Sequence, residues 1–504
     1  MLFIERIKDF ISIFSLKFLL FISIIEHGLK GFVFGGGSSG IIGIPILFIY
    51  KDFGYLSASR IQILKTITLL PWSMKPIIGM FSDTVWIKGY NKIYFMMISS
   101  IISVISSILI SVLWIGILTP EIITLLLFLI FTSIAINDLL TEAAYSEKIK
   151  ENPNYGPDCV SFVWGGVFLG EILSSIFTGL LMSFNHKRLL YLIASIPLML
   201  VILPIYLNWM EEKKHNVERF IEIDKEKIKK EWKLYLLAFL ICILTIIIGL
   251  FGLFNIKTKY LFFISILCGI ILIIGFNYLV SPLFAKIQTF FIIQNMFTIS
   301  IESASFFFFT DNNIQYPEGP HFSLFFYITV LGITGSLCGF FGIVFYNIFM
   351  KDWKYRNILL ITNLLFTLVS LLNIIIFKRW NLLIGIPDTI FILGAETFQH
   401  VISVWLYMPF TILISQLCKP GMEAIIFSIV AGCSNLGSAL SNYQGSFILD
   451  LLKITPTGND DTMAFNNLWI ASLITAILPC IPLLFLNYLI PDSHQNEILK
   501  EDEE

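Results

Sequence analysis

Residues 120–148 read PEIITLLLFLIFTSIAINDLLTEAAYSEK, a long apolar run that ends in acidic and basic side chains. A helix needs roughly 20 apolar residues to cross a bilayer, because each residue rises about 1.5 Å across a hydrocarbon core of about 30 Å. Stretches of this kind recur along the chain. Hydrophobic residues make up 57% of the 504 residues and charged residues only 13%, with a mean hydropathy of +0.84. The sequence therefore predicts an all-α integral membrane protein with many spans.

The composition also excludes several classes of protein. The net charge is -2 and the basic residues fall mostly in short loops, so neither nucleic acid nor an acidic partner is expected. Seven cysteines are scattered singly, which indicates neither a disulfide framework nor a zinc site. No phosphate-binding loop, HExxH motif or nucleophile elbow occurs in the sequence. We therefore expect no enzymatic activity, no cofactor and no metal.

Breaks in the hydrophobic pattern predict fourteen spans in groups of six, two and six, with twelve spans as the alternative. The predicted spans lie near residues 22–50, 56–81, 92–115, 120–144, 159–183, 188–209, 234–254, 260–280, 285–309, 322–349, 357–377, 384–416, 422–449 and 467–489. The corresponding domains are an interfacial amphipathic N-terminus, a six-helix bundle, a charged cytoplasmic linker, an extra helix pair, a second six-helix bundle and an acidic cytoplasmic tail. Their bounds are 1–21, 22–210, 211–233, 234–283, 284–490 and 491–504.

The charged loops and a weak internal repeat indicate how the spans are arranged. Placing both termini in the cytoplasm collects most Lys and Arg on that side, including the eight basic residues of the linker 211–233. The stretch GMFSDTVWIKGYNKIY (79–94) has a counterpart in GIVFYNIFMKDWKYRN (342–357), each joining a helix end to a basic, aromatic loop. Duplicated six-helix halves predict a major facilitator fold, with a substrate held between the halves near mid-membrane.

The second predicted span contains LLPWSMKPIIGMFSD (69–83). An ionisable side chain inside a span costs about 2.5–3.5 kcal/mol on insertion scales, so it faces a partner or a water-filled cavity. Trp72 and Lys75 share a helix face, and the prolines on either side of Lys75 bend the helix where a ligand could approach. We predict that Lys75 binds an anionic substrate group beside Trp72. The alternative is permanent pairing of Lys75 with a structural carboxylate.

Two helix ends on the cytoplasmic side are candidates for gating. Asp83 ends the second span close to Lys88 and Lys92, which predicts a loop ion pair that biases a carrier between its conformations. Glu423, in GMEAIIFSIVAGCSNLG (421–437), lies at the cytoplasmic end of another span and is assigned to the same role. A helix-end cap with close packing is the alternative for Glu423.

Acidic residues in the first and fourth spans are candidates for substrate binding and proton coupling. Asp138 and Glu142 are four residues apart and therefore stacked on one helix face. Two neighbouring carboxylates suit a proton relay or a ligand rich in hydrogen-bond donors. Alternatively, the span ends before Asp138 and both acids lie in water. Glu26 opens the glycine-rich stretch IIEHGLKGFVFGGGSSG (24–40), which predicts close helix contact or a broken helix.

The second half of the chain carries two further acidic stripes. In IIQNMFTISIESASFFFF (292–309), Glu302 and Phe306 are four residues apart, so an acid next to an aromatic ring suits a flat ligand. In DTIFILGAETFQHVISVWLYMP (388–409), Glu396 and His400 have the same spacing and could form a protonation switch. A structural hydrogen-bonding role is the alternative for His400.

At these residues the chain resembles the folate–biopterin transporter family, a branch of the major facilitator superfamily. The likeness rests on four stretches in the family's order, which are PWSMKPIIGMFSD (71–83) followed by GYNKIY, INDLLTEAAYSEK (136–148), FFFFTDNNIQYPEGPHFS (306–323) and CKPGMEAIIFSIVAGCSNLG (418–437). The loop QYPEGPHFS and the extra helix pair resemble the protozoan members. The matching motif positions are Lys75, Gly79, Asp83, Gly89, Asp138, Glu142, Gly421, Glu423, Asn435 and Gly437.

The resemblance implies proton-coupled uptake of folates, pterins or folinate by alternating access. Many relatives have Asp at the position of Glu142, and Arg pairs at Asn91 and Lys92. We expect a monomer in the plasma membrane, whose substrate offers its glutamate tail to Lys75 and its pterin ring to Asp138 or Glu302, stacked on Phe306. The alternatives are an S-adenosylmethionine carrier and a receptor or scaffold that transports nothing.

Overall fold

The structure is a computed structural model that describes residues 2–35, 40–113, 116–184, 186–217, 219–417, 423–495 and residue 497. The chain forms two compact units. The first unit contains residues 1–46 and 74–235, and the second unit contains residues 47–73 and 236–504. The boundaries of these units differ from those of the predicted six-helix bundles. Residues 47–73 fall within the first predicted bundle but pack with the second unit.

The first unit is built from helices joined by short turns. Its α-helices are Leu2–Phe14, Leu16–Ile22, Lys75–Thr84, Ile93–Val112, Pro120–Glu151, Gly156–Ser183, Lys187–Leu200, Ile202–Tyr206 and Lys225–Lys230, with a π-helix Ser23–Phe34 and a 3-10 turn Pro153–Tyr155. Leu2–Phe14 and the helix that follows are separated by Ser15, whose φ is 58°, and the chain bends there by 85°. The Ser15 hydroxyl accepts a hydrogen bond from the Phe18 amide at 3.2 Å and so caps the second helix.

The second unit is also helical. Its α-helices are Pro45–Lys51, Ala58–Leu69, Trp232–Leu253, Thr258–Leu279, Pro282–Phe297, Glu302–Thr310, Leu331–Phe349, Tyr355–Phe377, Trp380–Leu383, Asp388–Leu417, Glu423–Leu451, Leu468–Ile477 and Leu486–Leu489. A π-helix, Phe326–Val330, and two 3-10 segments, Leu70–Met74 and Leu478–Phe485, complete the unit. Helices Pro45–Lys51 and Trp232–Leu253 each begin a few residues before the part of the chain that belongs to this unit. Helix Glu423–Leu451 packs against Ala58–Leu69, Thr258–Leu279 and Pro282–Phe297. The second helix of the predicted extra pair is therefore part of this packing.

Twelve helices among the described residues are long and apolar enough to cross a membrane, or thirteen if the bent pair Lys8–Phe14 and Leu16–Phe34 is one span. The predicted count of fourteen is not confirmed, and the alternative of twelve agrees with the structure. The twelve helices correspond to the predicted spans from 92–115 to 467–489. The first two predicted spans, near 22–50 and 56–81, consist of shorter helices instead.

Proline and glycine account for these two broken segments. Helix Ala58–Leu69 gives way to the 3-10 segment Leu70–Met74, because Pro71 has no N–H to donate to a carbonyl one turn earlier. A new α-helix then starts at Lys75, with Pro76 in its first turn. In the first predicted span, the π-helix ends at Gly35, whose φ of 55° is a left-handed conformation that glycine adopts readily.

Small and polar side chains bring the helices of the first unit together. Helix Ile93–Val112 buries its serines and turns large apolar residues such as Ile105 outwards. The Asn137 amide donates to the Ser100 hydroxyl at 3.1 Å, and the Ser107 hydroxyl donates to the Tyr191 carbonyl at 2.6 Å. Such contacts replace the hydrophobic driving force that helices lack inside lipid.

The linker after the first six predicted spans forms a small sheet. Strand Val85–Ile87 pairs antiparallel with Ile221–Ile223, and Trp86 lies opposite Glu222. The sequence predicts a solvated linker with some helical character, and the structure adds this strand to one short helix, Lys225–Lys230. The linker is thus attached to the loop that follows Asp83.

Candidate functional site

A network of five ionisable side chains lies inside the first unit. Lys30 Nζ is 2.7 Å from Asp138 Oδ1, and Lys75 forms an ion pair with the other oxygen of the same carboxylate. Lys30 also lies 3.3 Å from Glu142 Oε1, and Lys75 lies 3.6 Å from Glu142 Oε2. Asp138 is thus held between two lysines, and Glu142 bridges the same two.

Glu26 completes the network at its most buried point. Its side chain is 0% exposed, and its nearest cation is Lys30, 3.5 Å away on the same helix. Within the described part of the chain, neither carboxylate oxygen of Glu26 accepts a hydrogen bond. Glu142 is the most accessible member, with 34% of its side chain exposed, whereas Asp138 is 1% exposed. The network therefore extends from a dry interior to one accessible carboxylate.

Local structure positions each member of this network. Glu26 and Lys30 are four residues apart on the π-helix Ser23–Phe34, and Asp138 and Glu142 are four apart on helix Pro120–Glu151. Lys75 is the first residue after the 3-10 segment, so the proline break sets where its side chain leaves the backbone. The helix continues well beyond Asp138, whose side chain is 1% exposed.

The charges of the network do not balance when all five groups are ionised. Three carboxylates face two ammonium groups, so one negative charge is left over. A buried charge without a full partner costs several kcal/mol. Neutrality therefore requires one proton on a carboxylate, or a cation from elsewhere.

Sequence reasoning recovered four of the five members and missed Lys30. Lys75 as the substrate cation stays a prediction, but the side chain is paired with Asp138 and Glu142, as the alternative reading of this residue has it. Lys30 lies in the glycine-rich stretch that was singled out for Glu26. Its spacing of four residues from that acid is the signal that could have identified it.

The gating residues predicted at the cytoplasmic end have partners other than those expected. Asp83 lies 3.5 Å from Lys227 of the linker, and Lys92 lies 2.7 Å from Glu147. Lys88, whose φ is 50°, places its ammonium 5.2 Å from the centre of the Phe220 ring. Asp83 therefore forms its loop ion pair with the linker and not with Lys88 or Lys92, and the gating role of these three residues stays a prediction. The Glu423 side chain lies outside the described residues.

Sequence reasoning also missed Glu212 in this region. Its carboxylate accepts hydrogen bonds from the amides of Asn91, Lys92 and Ile93, at 2.6, 3.1 and 3.1 Å. These are unpaired donors at the start of helix Ile93–Val112, which a carboxylate both satisfies and stabilises through the helix dipole. Glu212 thereby attaches the linker to the loop after the second predicted span.

A second polar site lies within the second unit, where a cavity of about 370 Å³ opens between helices. Its polar lining consists of side chains from four segments, including Ser300, Glu302, Ser370, Asn373, Glu396 and Gln399. Glu302 is paired with Lys65, whose Nζ lies 2.6 Å away. Glu396 lies beside His400, with 3.9 Å between Nε2 and Oε2. The cavity thus brings together two of the acids predicted from separate stripes.

The aromatic residues predicted to stack on a substrate are placed differently. Phe306 is 0% exposed, and its ring meets Phe48 edge-on at 4.7 Å, so neither face is free for a ligand. The helical register from residue 294 to Phe306 is also interrupted, because residues 298–301 are not helical. Trp72 is buried within residues 47–73 of the second unit, and Asn435 Nδ2 contacts its carbonyl at 3.5 Å. Tyr327 and Phe309, rather than Phe306, line the cavity.

Known transporters resemble this chain along nearly its whole length. Probable folate-biopterin transporter 6 of Arabidopsis thaliana is 26% identical, over 97% of this chain and 86% of its own length. The folate-biopterin transporter of Synechocystis sp. is 25% identical, over 90% of this chain and 79% of its own. Folate transporter 1 of Plasmodium falciparum is 24% identical, over 92% of this chain and 79% of its own length. A particular likeness to protozoan members is therefore not confirmed.

Solved structures of transporters share the fold. An auto-inhibited peptide transporter of the POT family matches with a TM-score of 0.64 at 12% identity, over 96% of this chain and 98% of its own. The xylose transporter XylE of E. coli, in an inward-open conformation, matches with a TM-score of 0.57 at 12% identity, over 97% and 98%. At such identities the likeness shows the fold alone, which is the predicted major facilitator type. The family is shown by its own sequence model, which matches residues 36–504, and the chain belongs to the BT1 family.

Proposed function

We propose that this chain is a secondary active transporter that carries folates or pterins across a membrane by alternating access, coupled to protons. It is an integral membrane protein whose described residues form twelve helices that suit a bilayer, and its relatives include proteins named folate-biopterin transporters. The observation that carries the proposal is the buried ion network of Glu26, Lys30, Lys75, Asp138 and Glu142. Charged side chains inside lipid are costly, and they commonly mark the path of an ion or a substrate.

In this proposal the surplus carboxylate carries the transported proton. Glu26 is the member with the fewest contacts, so a proton on it leaves the two lysines balanced by Asp138 and Glu142. An anionic substrate group then replaces Glu142 as a partner of Lys75. The contact between Lys75 and Glu142 is the longest in the network at 3.6 Å, and Glu142 is its most accessible carboxylate. The proton on Glu26 and the substrate anion thereby enter together, and the surplus negative charge falls on Glu142, which keeps Lys30 as its partner and is the most accessible carboxylate of the network.

The test is transport by the purified full chain in proteoliposomes. Counterflow of labelled folate or biopterin against unlabelled substrate requires a carrier, and an inward pH gradient should accelerate net uptake. A receptor or scaffold binds the ligand but gives no counterflow, which would overturn the proposal. Competition by S-adenosylmethionine in the same assay identifies a carrier of that compound instead.

The proposal includes the setting of the carrier. We place both termini in the cytoplasm, because the basic residues of the linker 211–233 fall on that side, and we place the monomer in the plasma membrane. Accessibility of single introduced cysteines to an impermeant thiol reagent tests the orientation of the termini. Labelling of the C-terminus from outside an intact cell would contradict it.

A further inference from the structure

One carboxylate that lines the cavity of the second unit, that of Glu396, forms no hydrogen bond with the described residues. Glu302 is held by Lys65 at 2.6 Å, so its charge is largely compensated. Within the described part of the chain, Glu396 accepts no hydrogen bond, and Nε2 of His400, a side chain that is charged only when protonated, lies 3.9 Å away. Glu396 lines the cavity and is therefore open to a hydrogen-bond donor from a ligand.

The rest of the lining suits a flat heterocycle. The rings of Phe309 and Tyr327 form part of the wall, and the amide of Gln399 lies one helical turn from Glu396. Aromatic walls with a few convergent polar groups are the usual composition of small-molecule sites, and about 370 Å³ lies within the usual range of their volumes. The cavity can thus hold a ring against the aromatic part of its wall while one edge of the ring meets polar groups.

The two acids also restrict which part of a folate can enter. A glutamate tail carries carboxylates, which Glu396 repels, while Lys65 is already occupied by Glu302. A ring with a 2-amino-4-oxo-pyrimidine edge carries two parallel donors, the 2-amino group and N3–H, which match the two oxygens of one carboxylate. The cavity therefore favours the pterin end of a substrate over its tail.

We propose that this cavity is a pterin-ring subsite, in which Glu396 accepts hydrogen bonds from the 2-amino group and N3–H and thereby selects 2-amino-4-oxo heterocycles. The proposal rests on the proposed function, because it assigns a position to the same class of substrate. Glu396 is then a specificity-determining residue, and Glu302 with Lys65 holds the opposite side of the subsite in place.

The experiment compares competitors in uptake of labelled biopterin by proteoliposomes. In the wild-type protein, pterin should compete at least about tenfold better than 3-methylpterin, which has no N3–H, and lumazine, which has an oxygen in place of the 2-amino group. In Glu396→Gln the pterin preference over lumazine should fall about tenfold or reverse, because the new amide donates to the 2-oxo group. Glu396→Asp should retain the preference at reduced affinity. Glu318→Gln, in an exposed loop of the same unit, is the matched control and should change nothing.

The outcomes separate this proposal from the proposed function. If wild-type protein carries biopterin but does not discriminate against 3-methylpterin, the subsite is wrong and the carrier stands. An unchanged ratio of pterin to lumazine in Glu396→Gln would also overturn the subsite. If wild-type protein transports no pterin or folate at all, the proposed function itself fails. The comparison with 3-methylpterin needs no variant, so it decides the proposal even if Glu396→Gln does not fold.

Discussion

Lys30 Nζ lies 2.7 Å from Asp138 Oδ1, and the same carboxylate also pairs with Lys75, so one buried acid holds two lysines from separate helices. Asp138 and both lysines are almost entirely removed from solvent. Removal of either partner leaves an uncompensated charge, which is far more costly than the pair itself is stabilising. This pairing is the centre of the ion network and determines how its other members respond to substitution.

Lys30→Met should destabilise the protein by roughly 3–5 kcal/mol, because Glu26 and Glu142 lose their shared cation. The thermal midpoint of the purified protein in detergent measures the effect. The double variant Lys30→Met with Glu142→Gln leaves Lys75 paired with Asp138 beside a protonated Glu26, which restores the balance of charge and should recover most of the lost stability. A double variant no more stable than Lys30→Met would show that charge balance is not what Lys30 provides.

Lys75→Met should abolish uptake of folate at equal surface abundance, because the glutamate tail loses its cation. Uptake of biopterin, which has no tail, should fall less. Lys259→Met, which removes an exposed lysine of the second unit, is the control for a general loss of charge. Equal uptake of folate by Lys75→Met and wild type would remove this lysine from the substrate site.

Glu26→Gln should separate transport from proton coupling, since a glutamine cannot carry the proton. The side chain is fully buried and accepts no hydrogen bond from the described residues, so the isosteric amide should fold. Counterflow of labelled substrate should persist, while acceleration by a pH gradient should be lost. Glu151→Gln, at the exposed end of helix Pro120–Glu151, should behave as wild type. A gradient response that survives in Glu26→Gln would assign the proton to another acid.

A loop outside the spans should make stability depend on pH. Burial, opposed by Lys51 at 2.6 Å and reinforced by Asp461, raises the pKa of Asp311 to about 7, above its ordinary value of 3.8. The folded protein therefore holds this proton more tightly than the unfolded chain does. The resulting stabilisation is complete below about pH 4 and is lost as the pH rises through about 7.

Asp311→Asn should flatten this dependence. Thermal midpoints of the purified protein at about pH 5 and pH 7.5 should differ less in the variant than in wild type, because an amide does not titrate. Asp460→Asn removes an exposed carboxylate from a neighbouring loop and should keep the wild-type difference. If Asp311→Asn and wild type lose the same stability between the two values, Asp311 is not the titrating group.

Gly31→Ala should destabilise the first unit by about 1–3 kcal/mol, because its new Cβ would lie 2.6 Å from the Val167 carbonyl oxygen. Backbone atoms of two packed helices would have to separate. Gly165→Ala is the matched control on the same helix as Val167, since nothing lies within 4 Å of its Cβ position. That control should be neutral or slightly stabilising. Similar thermal midpoints for the two variants would contradict the close helix contact.

Hydropathy predicted the twelve spans that the described residues form, and it failed at the first two predicted spans, which are broken into shorter helices. Pro71 and Gly35 stand in otherwise apolar stretches, and a window of average hydropathy does not register where hydrogen bonding changes. The proline signal near Lys75 was visible and correctly indicated a break. That residues 47–73 pack with the second unit depends on contacts with helix Glu423–Leu451, far along the chain.

The acidic residues were found because their cost in lipid makes each one conspicuous, but their partners were not. Asp83 was assigned to its neighbours in sequence, whereas Lys227 of the folded linker is closer in space. Phe306 was selected for its spacing from Glu302, although the ring is enclosed by other aromatic residues. In both cases the spacing along a helix predicted which residues share a helix face, but it did not predict which residues pack against that face.

By itself the sequence determined that the protein is helical and surrounded by lipid. It also determined where most of the spans lie and which charged side chains lie within them. It could do so because lipid admits only long apolar helices whose backbone groups bond to one another, and that requirement is local. The tertiary structure alone decided that Lys30 joins Lys75 on Asp138, and that Glu302 and Glu396 line one cavity. Those facts depend on distances between segments remote in the chain, and no local periodicity encodes them.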